Sequence, residues 1–135
     1  MSRNLCQKRL RTCISLAAIL AAFAAVRATA QTYAYVTNVG WNPSLAVIDT
    51  AINGISTLVR DVRPTGGLAV HPDGTRLYVA LDDAMAVLGA SDYHVIATVP
   101  AGRQPVRIAV NNQGTRAYVA NSISGTCLLY TSDAA

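Results

Sequence analysis

Between Gln31 and Thr126 the chain has no cysteine; its three are Cys6, Cys13 and Cys127, all outside that stretch. A disulfide framework and a cysteine-based metal site therefore find no support there. The same stretch has no excess of charge. Six arginines (Arg60, Arg63, Arg76, Arg103, Arg107, Arg116) stand against six aspartates (Asp49, Asp61, Asp73, Asp82, Asp83, Asp92), although the whole chain carries a formal +4. Zero net charge and no basic stripe disfavour nucleic acid as a partner. No sustained 3.6-residue period occurs, so helices are not expected. No apolar run reaches the roughly 20 residues of a membrane span. Catalytic signals are few. Ser44, Ser56, Ser91, Ser122 and Ser124 lack a nucleophile-elbow context, and Gly66-Gly67 precedes a strand pattern rather than a helix, so it makes no phosphate cradle.

What is present begins with the two ends. Arg3, Lys8, Arg9 and Arg11 lead into the apolar run Ile14–Val26, which Arg27 stops, and Ala28-Thr29-Ala30 follows with small residues. That is the three-part layout of a secretory signal peptide, with cleavage expected between Ala30 and Gln31. It predicts Sec-type export to the periplasm or the outside, with no membrane span after cleavage. At the other end, Cys127–Ala135 reads CLLYTSDAA. It resembles the translation of a transposon end and adapter used in sequencing libraries, so residues 127–135 are expected to be non-native and the native coding sequence to be interrupted near Thr126.

The stretch between the ends repeats. RPTGGLAVHPDGTRLYVA (63–80) and RQPVRIAVNNQGTRAYVA (103–120) agree at nine of eighteen positions. Tyr35, Tyr78 and Tyr118 are spaced by 43 and 40 residues. A period of about 40–45 matches one four-stranded blade per repeat. Short runs rich in Val, Ile, Tyr and Ala, separated by Pro72-Asp73-Gly74, Asp82-Asp83 and Ser91-Asp92, read as strands and turns. Apolar residues on both faces of many strands suit a sheet covered by neighbours on both sides.

YVTN at Tyr35–Asn38, LAVIDTA at Leu45–Ala51, LAVHPDGTRLYVA at Leu68–Ala80 and GRQPVRIAV at Gly102–Val110 resemble the YVTN repeats of β-propellers. The resemblance covers essentially all of residues 32–123 and implies an all-β fold of four-stranded antiparallel blades. About two and a third blades are expected within 31–126, an incomplete ring. The implied strands are 32–38, 45–50 and 55–61 in blade one, which lacks its innermost strand. Blade two takes 66–72, 76–82, 84–90 and 94–100, and blade three begins with 105–111 and 116–122. The pattern departs from the family at His71, where a small polar residue is usual, and in AMAVLGAS, which lacks the Ile48-Asp49 pair of the first blade.

The chemistry-bearing residues are few. His71 follows an innermost strand and is expected to be a loop residue in a hairpin; the alternative, with Arg107, is a ligand contact at the channel mouth. His94 is expected at the surface, Asp82-Asp83 in a solvated turn and Trp41 as a cap on a blade edge. Arg76 and Arg116 recur after Gly-Thr turns and are expected to pair with turn acids or carbonyls, the alternative being an arginine rim for anions. No catalytic, metal or cofactor site is expected in this stretch. The function expected is an exported binding or scaffold module for an unidentified protein or small molecule. The alternative is part of a propeller enzyme, lactonase-like or bearing a redox cofactor, with its site residues in further blades.

Overall fold

The computed structural model describes residues 31–131. The expected leader, its cleavage position at Ala30 and residues 132–135 of the expected tail lie outside the described residues. No helix among the described residues is long and apolar enough to cross a membrane.

The described residues are all-β. Ten strands follow in order: β1 (Tyr33–Asn38), β2 (Ser44–Asp49), β3 (Gly54–Val59), β4 (Leu68–Val70), β5 (Arg76–Ala80), β6 (Ala84–Gly89), β7 (Val95–Pro100), β8 (Pro105–Val110), β9 (Arg116–Asn121) and β10 (Thr126–Thr131). They form three antiparallel meanders, β1-β2-β3, β4-β5-β6-β7 and β8-β9-β10. These are blades one, two and three. Among the described residues no strand precedes β1 in blade one.

The blades pack because each strand alternates its side chains between two faces. Leu77 and Val79 of β5, with Ala86 and Leu88 of β6, face blade one and bury Leu45 and Val62. Tyr78 and Ala80, with Met85 and Val87, face blade three and bury Ile108 and Val119. Blade two is therefore apolar on both faces, as a sandwiched sheet must be. Removing a fully buried side chain such as Leu77 costs about 2–5 kcal/mol through lost burial and the cavity left behind.

The repeat also fixes local geometry. Gly74 (φ 73°) and Gly114 (φ 72°) occupy equivalent hairpin positions in the left-handed region that glycine adopts without a Cβ penalty. Each amide donates back to the residue three before it, Gly74 to His71 (2.8 Å) and Gly114 to Asn111 (2.9 Å). The third strands β2 and β6 carry register shifts at matching places, Val47/Ile48 and Val87/Leu88.

Four features differ from expectation. The innermost strand of blade two is short: the Gly67 carbonyl still accepts from the Ala80 amide (3.1 Å), but the Ala80 carbonyl is taken by the Thr65 amide (3.0 Å) and the Gly67 amide donates to the Val106 carbonyl of blade three (3.0 Å). Blade three gains β10, paired with β9 from Thr126↔Asn121 to Thr131↔Arg116. An alternating apolar segment takes this place because the free edge of β9 offers unpaired N–H and C=O groups. Trp41 caps nothing: it lies in the β1–β2 loop and is fully exposed. Arg76 and Arg116 form no ion pair with a turn acid among the described residues. The Asp73 carboxylate is already engaged by Thr75 and His71, and the equivalent turn of blade three carries Asn111, Asn112 and Gln113 in place of an acid.

Candidate functional site

Two places on the blades gather polar side chains. The first is the junction of the β4–β5 and β8–β9 hairpins. β4 ends at Val70, and alternation from Ala69 turns His71 toward blade three. Its Nε2 lies 3.2 Å from the Gly114 carbonyl oxygen, and its Nδ1 lies 2.6 Å from Asp73 Oδ1. The ring tilts against Tyr78, with centroids 6.2 Å apart. Asp73 also accepts from the Thr75 amide (2.8 Å) and hydroxyl (2.7 Å). The Thr75 amide, then its hydroxyl, and more weakly His71 lower the Asp73 carboxyl from 3.8 to about 2. Beneath the hairpins lies a small cavity of about 70 Å³, floored by Tyr78, Met85, Val87 and Val99 and closed by Tyr130. The Tyr130 hydroxyl donates to the Pro100 carbonyl, and burial raises its pKa.

The second place lies at the opposite end of blade two. The β3–β4 connection brings Asp61, Arg63 and Thr65 beside the β5–β6 turn with Asp82 and Asp83, around an open cleft of about 630 Å³. The Thr65 hydroxyl is buried and has no hydrogen-bond partner among the described residues. Buried polar atoms are nearly always paired, so this one is a marked exception. Asp82 and Asp83 are solvent-exposed, and their backbone carbonyls accept from Gln104 (3.0 Å) and Ala101 (2.8 Å).

His71 and Arg107 are not brought together. His71 sits beyond the end of β4, whereas Arg107 sits near the start of β8, beside Gly67, and does not line the His71 cavity. Arg107 is exposed, on the face of blade three turned away from blade two. His94 is exposed just before β7. The cleft around Thr65 was missed in the sequence because its residues come from two connections about twenty positions apart, neither carrying a motif.

No family model matches the chain, and no curated protein matches it. Solved structures do. The chain is similar to hydrazine synthase of Kuenenia stuttgartiensis, with 27% identity and a TM-score of 0.59, over 67% of this chain and 27% of that one. It is also similar to the dihydro-heme d1 dehydrogenase NirN in complex with DHE, with 21% identity and a TM-score of 0.59, over 72% of this chain and 21% of that one. The architecture is that of β-propeller blades. The chain thus spans about a quarter or less of the chains it matches.

Proposed function

We propose that the chain is a set of YVTN-type blades from an exported β-propeller that binds a protein or small molecule at its face. The observation that carries this is the 630 Å³ cleft, where Asp61, Asp82, Asp83 and Arg63 surround the unpartnered Thr65 hydroxyl. It offers hydrogen-bonding groups of both charges on a scaffold of packed strands. His71, by contrast, is taken up by the contact between hairpins. The four acid and guanidinium groups suit a polar ligand with its own donors and acceptors. The signal-peptide layout of residues 1–30 supports export, and the adapter-like residues 127–135 support a native sequence that differs after Thr126. Mass spectrometry of the exported protein and resequencing across that junction test both points.

A second reading is a propeller enzyme with a redox cofactor, favoured by the likeness to hydrazine synthase. In that reading the cofactor's ligands come from other blades, since His71 is engaged and His94 lies on the outer strand side. The two readings separate in one pair of measurements on the purified full-length protein, recovered by resequencing across the junction after Thr126. Lactone turnover, or a visible absorption band after incubation with haem, would overturn the binding-module reading. Saturable ligand binding weakened by Asp83→Asn and Arg63→Gln, without turnover, supports it.

A further inference from the structure

Asp49 ends β2 and is buried, 8% exposed. Among the described residues it forms no ion pair. Two N–H donors serve its carboxylate instead. Oδ1 accepts from the Ala51 amide at 2.8 Å, within the turn after β2, and Oδ2 accepts from the Gln31 side-chain amide at 2.7 Å. Next door, the Thr50 amide and hydroxyl both donate to the Thr32 carbonyl, at 3.2 and 2.8 Å. The backbone beside Gln31 is thus anchored without Asp49. In blade two the positions matching Gln31 and Asp49 carry Gly74 and Gly89. The pairing of an amide with a carboxylate therefore belongs to blade one and is not something every blade repeats.

Gln31 is also the residue that follows the expected cleavage position, and the inference rests on that reading of residues 1–30. Cleavage gives Gln31 a free α-amine, and a glutamine so placed can close on itself. The neutral α-nitrogen attacks Cδ and forms a five-membered lactam. The Cδ–Nε2 bond breaks, and Nε2 leaves as ammonia with one proton from the amine. The atom expelled is the one that Asp49 holds. Closure therefore strips Oδ2 of its donor and leaves part of a buried carboxylate unpaired, which is costly. Both carboxylate oxygens already accept a bond, so Asp49 holds the amide rather than taking the proton of the amine.

We infer that Gln31 is a modification site held in check by Asp49, which keeps the mature chain with a free α-amine instead of a pyroglutamate end. Asp49 is a positioning residue here, acting through the Gln31 amide. The ladder that carries it, in which Tyr33 pairs with Asp49, is made wholly of residues that remain after cleavage. A hydrogen bond to a charged group of this kind slows closure by about tenfold to a hundredfold.

The test follows loss of ammonia from the N-terminal peptide by mass spectrometry, on the exported full-length protein incubated at neutral pH. A synthetic peptide of residues 31–38, which lacks Asp49, gives the unheld rate. The protein should begin at Gln31 and close about tenfold to a hundredfold more slowly than the peptide. Asp49→Asn keeps an acceptor for the Ala51 amide but turns an NH2 group toward Gln31, so closure should approach the rate of the peptide. Thr50→Val removes the hydroxyl bond to Thr32 and leaves Asp49 in place, so its rate should stay that of the unmodified protein. A protein that starts at Gln31 and closes as fast as the peptide, or is already closed on isolation, overturns the inference and leaves the export reading standing. An unchanged rate in Asp49→Asn overturns it too. So does equal acceleration in both variants, which makes Asp49 one more support of the strand. A mature chain that starts at another residue overturns the cleavage position, and the inference with it. If Asp49→Asn loses its β-sheet circular dichroism, Asp49→Ser takes its place, judged by the same outcomes, since a serine hydroxyl also serves such turns.

Discussion

The imidazole of His71 reaches the backbone carbonyl of Gly114 at 3.2 Å, across 43 residues and from one blade to the next. The carbonyl can only accept, so Nε2 is the donor. The contact depends on glycine twice over. Position 114 has a φ of 72°, and a Cβ built there would overlap the His71 ring. Position 74 has the same φ, 73°, but open space around its Cβ.

That pair gives a controlled comparison. Gly74→Ala should cost only the left-handed backbone penalty, roughly 1–2 kcal/mol. Gly114→Ala should cost that and also displace His71, a further loss of about 0.5–1.5 kcal/mol for the hydrogen bond alone. Denaturant melts of the two variants check it. Equal losses would show that the His71 contact contributes nothing to the junction.

The Asp73 carboxyl gives a pH prediction. Its value in the folded protein is about 2, below the ordinary 3.8. A depressed carboxylate contributes stability that is fully present above its unfolded value and fades as the pH falls from 3.8 toward about 2. Thr75→Val removes the hydroxyl donor but keeps the amide, so the Asp73 value should rise part of the way back. The hairpin should then loosen at a higher pH within that window. Carbon-13 titration of the Asp73 carboxyl reads both effects, and an unchanged midpoint in Thr75→Val would remove the hydroxyl from the account.

Tyr93 sets local backbone strain against packing. Its φ is 59°, unusual for an aromatic residue, while the equivalent turn of blade one uses Asn53 at 51°. Its ring meets Tyr35 edge-on, with centroids 6.4 Å apart and planes at 66°. An aromatic pair of this kind is worth about 0.5–1.5 kcal/mol beyond its buried area. Tyr93→Asn should therefore destabilise by about 1 kcal/mol, even though asparagine suits the backbone better. In a Tyr35→Ala background the same change should be neutral or stabilising. A double-mutant cycle measures the difference, and additive losses would show no coupling between the two rings.

Much of the fold is legible in the sequence because the repeat writes the same local chemistry twice. Gly-Thr-Arg marks the hairpins, Tyr-Val-Ala the second strand, and both recur at the blade period. What escapes the sequence is what one blade does to another. The bond from the Gly67 amide to the Val106 carbonyl exists only once blade three is in place. The His71 contact is of the same kind. Position 71 stands out because its repeat partner is Asn111, yet no local pattern says which carbonyl the ring will find. Trp41 shows the opposite failure: a large apolar side chain suggested a cap, but among the described residues it stands fully exposed in the β1–β2 loop. The cleft around Thr65 was invisible because Asp61, Arg63, Asp82 and Asp83 each look like solvated turn residues until the connections meet.

A close backbone approach of two blades yields the last prediction. A Cβ on Gly66 would run into the Pro105 carbonyl and lie 3.0 Å from the Val106 Cα, both backbone atoms that cannot swing aside. A Cβ on Gly67 would stand 3.1 Å from the Val106 carbonyl, tight but open to small adjustment. Blade three carries Val106 and Arg107 at the equivalent positions, so glycine is required by the neighbour and not by the blade itself. Gly66→Ala should force the inner strands apart and break the Gly67 amide's bond to Val106, whereas Gly67→Ala should largely keep it. Amide hydrogen exchange at position 67 distinguishes them: protection should collapse in Gly66→Ala and fall only modestly in Gly67→Ala. Equal protection in both would mean that the blades meet with slack at their inner edge.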